Sequence, residues 1–192
     1  MKVLVACEFS GIVREAFRKR GHDAWSCDLL PTELTGQHIQ GDVIPVLSQG
    51  WDLMIAHPPC THLAVSGARW FKDKQEEQKE AIGFFMTLAI APIDKICIEN
   101  PVCIMSTKWR PPDQIIQPYQ FGDKSRKTTC LWLKNLPKLS PTNIVEPDIY
   151  VCKNGKTFSK DYMVALRAGK NRGHLRSKTY QGIANAMAEQ WG

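Results

Sequence analysis

Residues 2–21 read KVLVACEFSGIVREAFRKRG, and the fold turns on how they divide. Residues 2–7 are a short, β-branched apolar run of the kind buried in a parallel strand. Phe9-Ser10-Gly11 then turns tightly, after which Ile12, Val13, Ala16 and Phe17 recur at helical spacing until Gly21. A strand fed into a helix through a glycine turn is the opening unit of a doubly wound sheet, and the rest of the chain repeats that grammar. DAWSC (23–27) reads as a strand ending at Asp28, GDV (41–43) as a short third one, and WDLMIA (51–56) as a fourth. DKQEEQKEAIGFFMTLAI (73–90) is polar first and apolar later, a helix running into the core. KICIE (95–99) is a strand, IIQPYQF and TTCLWL are β-like runs around the polar GDKSRK, and TYQGIANAMAEQW is a closing helix. The expectation is an α/β fold, a mostly parallel sheet with helices on both faces, and 192 residues suit one such domain.

In this class ligands bind at the carboxyl ends of the strands. Here those ends carry Glu8 to Gly11, Asp28, Asp42, His57 to Cys60, and Glu99-Asn100-Pro101, which is the pattern of a site. Gly11 lets backbone approach a ligand closely, and the helix that follows can receive polar groups. The turn is not GxGxxG, since Val13 stands where a further glycine would be, so a pyrophosphate grip is not indicated. Asp28, with Leu29 beside it, is placed to accept the hydroxyls of a ribose, and Asp42, followed by Val43, to accept from an adenine amino group. Together these outline an adenosine pocket without a phosphate grip, which suits S-adenosylmethionine better than NAD. Cys60 follows a strand end and two prolines, where rigid backbone holds a thiol at the ligand side of the sheet. A nucleophile needs that position, provided its target is activated. Glu99 at the next strand end could protonate a ring nitrogen of a pyrimidine and make its C6 electrophilic.

PPC at 58–60, ENP at 99–101, the Phe9-Ser10-Gly11 turn and the two aspartates resemble the ordered motifs of the cytosine-C5 DNA methyltransferases, most of all the small, phage-type members. The resemblance covers residues 3–101 and extends, more weakly, to Lys124-Ser125-Arg126-Lys127 before a strand and to the last helix. It implies a class I methyltransferase fold and S-adenosylmethionine as cofactor, held by Phe9, Ser10, Gly11, Asp28, Leu29, Asp42, Val43, His57 and Pro58. It also implies a catalytic set of Cys60, Glu99, Asn100 and Arg126, with Lys127 as an alternative to Arg126. The acceptor it implies is cytosine in DNA, in a duplex with the base flipped out or in a single strand. Pro101 departs from the family's usual valine, and the second glycine of its cofactor turn is absent. The same Cys-to-C6 chemistry would serve pyrimidines in RNA or free nucleotides, or a variant donor. A non-catalytic nucleic-acid-binding module on this fold would have no use for Cys60 or Glu99.

Charge distribution favours a polymer. Between 153 and 178 eight basic residues face Asp161 alone, so this segment carries +7 of the chain's net +6 and the remainder sums to −1. A basic block on a near-neutral domain is the footprint of a polyanion. The expected division is a catalytic domain, 1–139 with 178–192, and a small basic insert at 140–177. Lys170, Arg172 and Arg176 of the insert, together with Arg69, Lys124 and Lys127, are the expected DNA contacts. The stretch THLAVSGARWFKDK, which contains Arg69, reads either as a loop closing over a flipped nucleotide or as a connector packing Trp70 and Phe71 under the next helix. So short an insert can grip phosphates but has little room to read bases, so strong salt dependence and low or very short sequence specificity are expected.

Composition narrows the setting. Charged residues are 23% and hydrophobic ones 43%, no apolar stretch approaches membrane-spanning length, and the N-terminus meets Glu8 too early for a signal peptide. A cytoplasmic protein without a membrane partner is expected. The seven cysteines are odd in number and several lie within apolar runs, a pattern of reduced, buried thiols. His57, Cys60 and His62 are crowded into six residues, too close together for a structural zinc site, so no metal is expected.

Overall fold

The computed structural model describes residues 1–192. In chain order its elements are β1 (Lys2–Ala6), α1 (Ile12–Arg18), β2 (Asp23–Asp28), β3 (His38–Gln40), β4 (Leu53–Ala56), α2 (Gln75–Ala89) and β5 (Lys95–Asn100). There follow α3 (Met105–Lys108), β6 (Gln114–Ile116), β7 (Thr129–Lys134), β8 (Ile149–Val151), β9 (Thr157–Ser159), α4 (Lys160–Arg167), α5 (Arg172–Ser177) and α6 (Gln181–Trp191). Seven strands form one sheet in the order β3-β2-β1-β4-β5-β7-β6. All neighbours are parallel except that β7 runs antiparallel to both β5 and β6.

Alternation along the central strands explains the two layers of helix. In β1, Val3 and Val5 face a core that includes Phe17 of α1 and Ile183, Met187 and Trp191 of α6. Leu4 and Ala6 face the opposite core, with Trp51, Phe85 and Leu88 of α2, and Trp132 of β7. Strands covered on both sides have no polar face, which is why they read as continuous apolar runs. Order reverses between β1 and β4, and the crevice at that switch point opens where β1, β4 and β5 end.

Several boundaries differ from the sequence expectation. The short third strand is 38–40, not 41–43: Asp42 Oδ1 accepts the Ile44 N–H at 3.0 Å and starts a 3₁₀ turn over Ile44–Val46. IIQPYQF is strand only to Ile116, because Pro118 has no N–H for a ladder and opens a 3₁₀ turn. Residues 65–73 are 3₁₀ turns, so α2 begins at Gln75. Strands β8 and β9 form an antiparallel ribbon separate from the main sheet, and α4 and α5 follow it. No helix is long and apolar enough to cross a membrane.

Candidate active site

The end of β1 is organised around a buried carboxylate. Cys7 adopts a left-handed backbone (φ 58°), and the chain turns so that Glu8 is almost wholly buried. Glu8 Oε1 accepts the Val13 N–H at 2.7 Å and the Ser10 hydroxyl at 3.1 Å, and Oε2 accepts the Arg14 N–H at 3.2 Å. Donors that a helix start would otherwise offer to a phosphate are thereby satisfied from within. Gly11 is required twice over: its φ is +75°, and a Cβ there would lie 2.7 Å from Arg14 Nη2. Arg14 is itself fully buried, donating to Glu15 Oε1 (2.9 Å), Ser26 Oγ (2.9 Å), Thr32 Oγ1 (3.1 Å) and the Leu34 carbonyl (2.6 Å). It ties the segment after β2 to α1. At the end of β2, Asp28 uses Oδ1 on the Leu30 N–H at 2.9 Å.

The ends of β4 and β5 are laced together across 42 residues of chain. The His57 N–H reaches back to the Ala6 carbonyl at 2.9 Å, Asn100 Nδ2 donates to the Pro58 carbonyl at 2.9 Å, and His57 Nδ1 lies 3.0 Å from Glu99 Oε2. Leu63 and Ala64 donate their N–H groups to the Cys60 carbonyl at 3.1 and 2.9 Å, closing the turn that carries the thiol. Cys60 is open to the cleft, yet the surrounding walls dehydrate it and raise its thiol above the ordinary range. The Glu99 charge raises it further, while Lys127, a backbone hydrogen bond and Arg176 oppose. Burial would raise Glu99, but the hydrogen bond from His57 and the charge of Lys127 outweigh it, and its carboxyl is held below the usual range.

Both sets of residues open into one cleft of about 1190 Å³. Cys7, Phe9, Ser10 and Asp28 line one end, and His57, Pro58, Cys60, Glu99 and Asn100 the other, with Arg126, Lys127 and α5 across from them. The far wall comes from the basic segment. Arg172 and Arg176 lie over the Tyr162 ring at 5.5 and 5.0 Å, Phe158 stacks on the same ring at 5.3 Å, and Arg172 also donates to the Tyr162 hydroxyl at 3.2 Å. His174 packs on Phe9 with ring centroids 4.7 Å apart. Glu33, on the segment after β2, accepts from His174 at 2.7 Å and Lys178 at 2.6 Å, so α5 is strapped over the β1–β2 end of the cleft.

No protein-family model matches the chain, and no curated protein matches it as a relative. Among solved structures it is similar to one from E. coli described as a candidate DNA modification methyltransferase encoded within a prophage. The TM-score is 0.52 at 14% identity over 75% of this chain. The likeness is one of fold. The match takes in 51% of that chain, so this protein corresponds to about half its length. In open, mostly parallel α/β sheets the ligand crevice lies beyond the strand ends, where this cleft is.

Some residues singled out from sequence lie elsewhere. Leu29 is 74% exposed and outside the walls, and its neighbour Leu30 takes the lining position. Val43 is buried in the core, and Asp42, which caps the 3₁₀ turn, is close enough for its charge to raise the Cys7 thiol but does not line the cleft. Gly11 shapes the turn from behind. Arg69, Lys124 and Lys170 are exposed and also outside the walls, and Arg69 lies over Trp70, itself 54% exposed rather than packed under α2. Arg126 lines the cleft but gives a guanidinium hydrogen bond to Thr157 at 2.9 Å, whereas the charge of Lys127 is the one felt by both Cys60 and Glu99. No three His, Cys, Asp or Glu side chains converge to hold a metal ion.

Sequence reasoning missed the His57–Glu99 pair and a polar cluster at the cleft edge. In that cluster Ser125 donates to Asp161 at 2.7 Å, Tyr180 bonds the same carboxylate, and burial pushes the Tyr180 phenol well up. Nothing in the one-dimensional pattern links residues so far apart. The one available signal was that Asp161 is the sole acid within the basic block and Tyr180 lies just beyond its end.

Proposed function

We propose that the protein is an S-adenosylmethionine-dependent DNA methyltransferase acting on C5 of cytosine through a covalent bond between Cys60 and C6. The observation that carries this reading is that Cys60 and Glu99 end adjacent parallel strands and share one cleft with Phe9, Ser10 and Asp28. The description of the E. coli structure as a DNA modification methyltransferase agrees with it.

The residues present fit the cofactor. Glu8 occupies the helix N-terminus that a pyrophosphate would need, while Asp28 keeps a carboxylate at the wall beside Phe9, a set suited to an uncharged ribose and a cationic sulfur. Phe9, Ser10, Asp28 and Leu30 would hold it, and when bound it supplies an electrophilic methyl group.

The chain's own residues make the base a nucleophile. Asn100 fixes the Pro58 carbonyl and with it the turn that presents Cys60. Glu99 delivers a proton to N3, the Cys60 thiolate forms the bond to C6, and the C5=C6 electron pair becomes available at C5. Once C5 carries the methyl group, water takes the C5 proton, its bonding pair restores the double bond and expels the sulfur as thiolate, and the N3 proton returns to Glu99. Lys127 and Arg176 favour the thiolate that Glu99 opposes. The wall of Arg172, Arg176 and Tyr162 offers guanidinium groups to phosphate and an aromatic ring to an unstacked base, which favours a polymer over a mononucleotide.

The test is incubation with labelled S-adenosylmethionine and DNA containing 5-fluorocytosine, which blocks loss of the C5 substituent. The expected product is a covalent adduct at Cys60, absent in Cys60→Ser, which still binds the cofactor. DNA binding without an adduct would instead make the protein a non-catalytic module. Comparison of duplex DNA, single strands, RNA and dCMP as acceptors fixes the substrate class.

A further inference from the structure

The geometry points to His57 as a proton relay for Glu99, a role beyond the proposed reaction and resting on it. The difficulty it resolves is chemical. Neutral cytosine presents a lone pair at N3, and Glu99 held as a carboxylate presents another, so in the free protein the two would repel. Glu99 can serve as the acid only if a proton is brought to it.

His57 is the group in place to bring one. Its side chain is 8% exposed and that of Glu99 14%, and they meet at 3.0 Å through Nδ1 and Oε2. Because the carboxylate carries no hydrogen, Nδ1 is the nitrogen that donates, and in the neutral ring Nε2 holds the lone pair. Nε2 is buried and has no hydrogen-bond partner, although His57 lines the cleft. A buried, unmatched acceptor is costly unless it has a role. In the relay, Nε2 takes a proton from a hydronium ion of the solvent, leaving water behind, as the Nδ1 proton passes to Glu99. The ring remains neutral in its other tautomer, Glu99 becomes a carboxylic acid, and Nδ1 now accepts its O–H. Glu99 then protonates N3. Return of that proton after the sulfur leaves runs the same path backwards, so no net proton is consumed by the pair. The other ionisable groups near the pair are Lys127, whose charge acts on Glu99 and Cys60, Arg176, whose charge acts on Cys60, and the thiols of Cys60, Cys97 and Cys130, which feel the charge of Glu99. His57 is thus a positioning residue that acts through Glu99.

His57→Asn separates relay from support, since an asparagine amide can donate to Glu99 in place of Nδ1 but cannot pass a proton on. Initial rates on the wild type's best acceptor should show kcat about 10²-fold lower at neutral pH, with KM for S-adenosylmethionine unchanged. The pH profile should move about one unit or more to the acid side, because Glu99 must then be protonated directly. A variant within threefold of wild type across the profile, or a loss independent of pH, overturns the relay while leaving the proposed reaction standing. Should the wild type transfer no methyl group to any acceptor, the functional reading falls, and ring ¹⁵N shifts of His57 in the free protein decide the rest. A ring protonated at Nε2 overturns the relay, and one protonated at Nδ1 supports it.

Discussion

On the strand-end side of the cleft, Glu8, Arg14, Asn100 and Glu99 are buried or nearly so, and each is bonded to a partner fixed by neighbouring backbone. On the opposite side, Arg172, Arg176, Lys178 and His174 are half-buried or exposed and meet an aromatic ring or a surface carboxylate. Contacts of the second kind are worth about 1 kcal/mol or less each, whereas a buried charge stripped of its partners costs several. The same cleft therefore has one wall whose geometry is set by the fold and one that can yield to a ligand. Chemistry that needs positions held to fractions of an ångström belongs on the first, and recognition of a long, flexible polyanion on the second.

The hardest blow to this contrast is aimed at Arg14. Arg14→Met removes the buried guanidinium that joins Glu15, Ser26, Thr32 and Leu34, and should cost about 3–5 kcal/mol. At roughly 2–4 °C per kcal/mol for a domain of this size, calorimetry should record a fall in Tm on the order of 10 °C. A fall of only a degree or two would mean that the rigid wall is not rigid.

A smaller, sharper test uses the coupling between Glu99 and Cys60. Glu99→Gln should reduce methyl transfer about 10²-fold or more, yet removing the negative charge lowers the Cys60 thiol toward its ordinary value. Iodoacetamide should therefore label Cys60 faster than in wild type at a given pH, as read by mass spectrometry, with the alkaline rise in rate moved to lower pH. Lys127→Gln should move that rise the other way, since its cation favours the thiolate. Labelling that ignores both changes would separate the two strand ends electrostatically.

The mildest effect belongs to the yielding wall. Arg172→Gln with Arg176→Gln should leave Tm within a few degrees and weaken DNA binding at every sequence alike. The slope of log K against log salt should fall by about 1.4–1.8, one phosphate for each arginine. A large loss of stability would move these arginines to the structural side of the comparison.

The same contrast decides what could be read in the sequence. β1, β4 and β5 were legible because strands covered on both faces leave unbroken apolar runs, and their ends named Cys60 and Glu99 directly. β3, β8 and β9 are three residues each, too short for a pattern to register. Arg14 looks like one more cation on a basic helix, since burial against Ser26, Thr32 and Leu34 from outside the helix leaves no local mark. The tie between His57 and Glu99 leaves no mark in the sequence, because the two lie 42 residues apart. Leu29 and Leu30 differ only in which way one step of an irregular turn faces, which no periodicity fixes.

Glu8 carries a consequence for life among other small molecules. ATP and NAD share an adenosyl group with the proposed cofactor, and either would bring its phosphates toward the start of α1. There they would meet a buried anion whose hydrogen-bonding neighbours are already engaged. One carboxylate, placed where other nucleotide-binding folds leave bare amides, would keep the cell's most abundant adenine compounds from competing for the crevice.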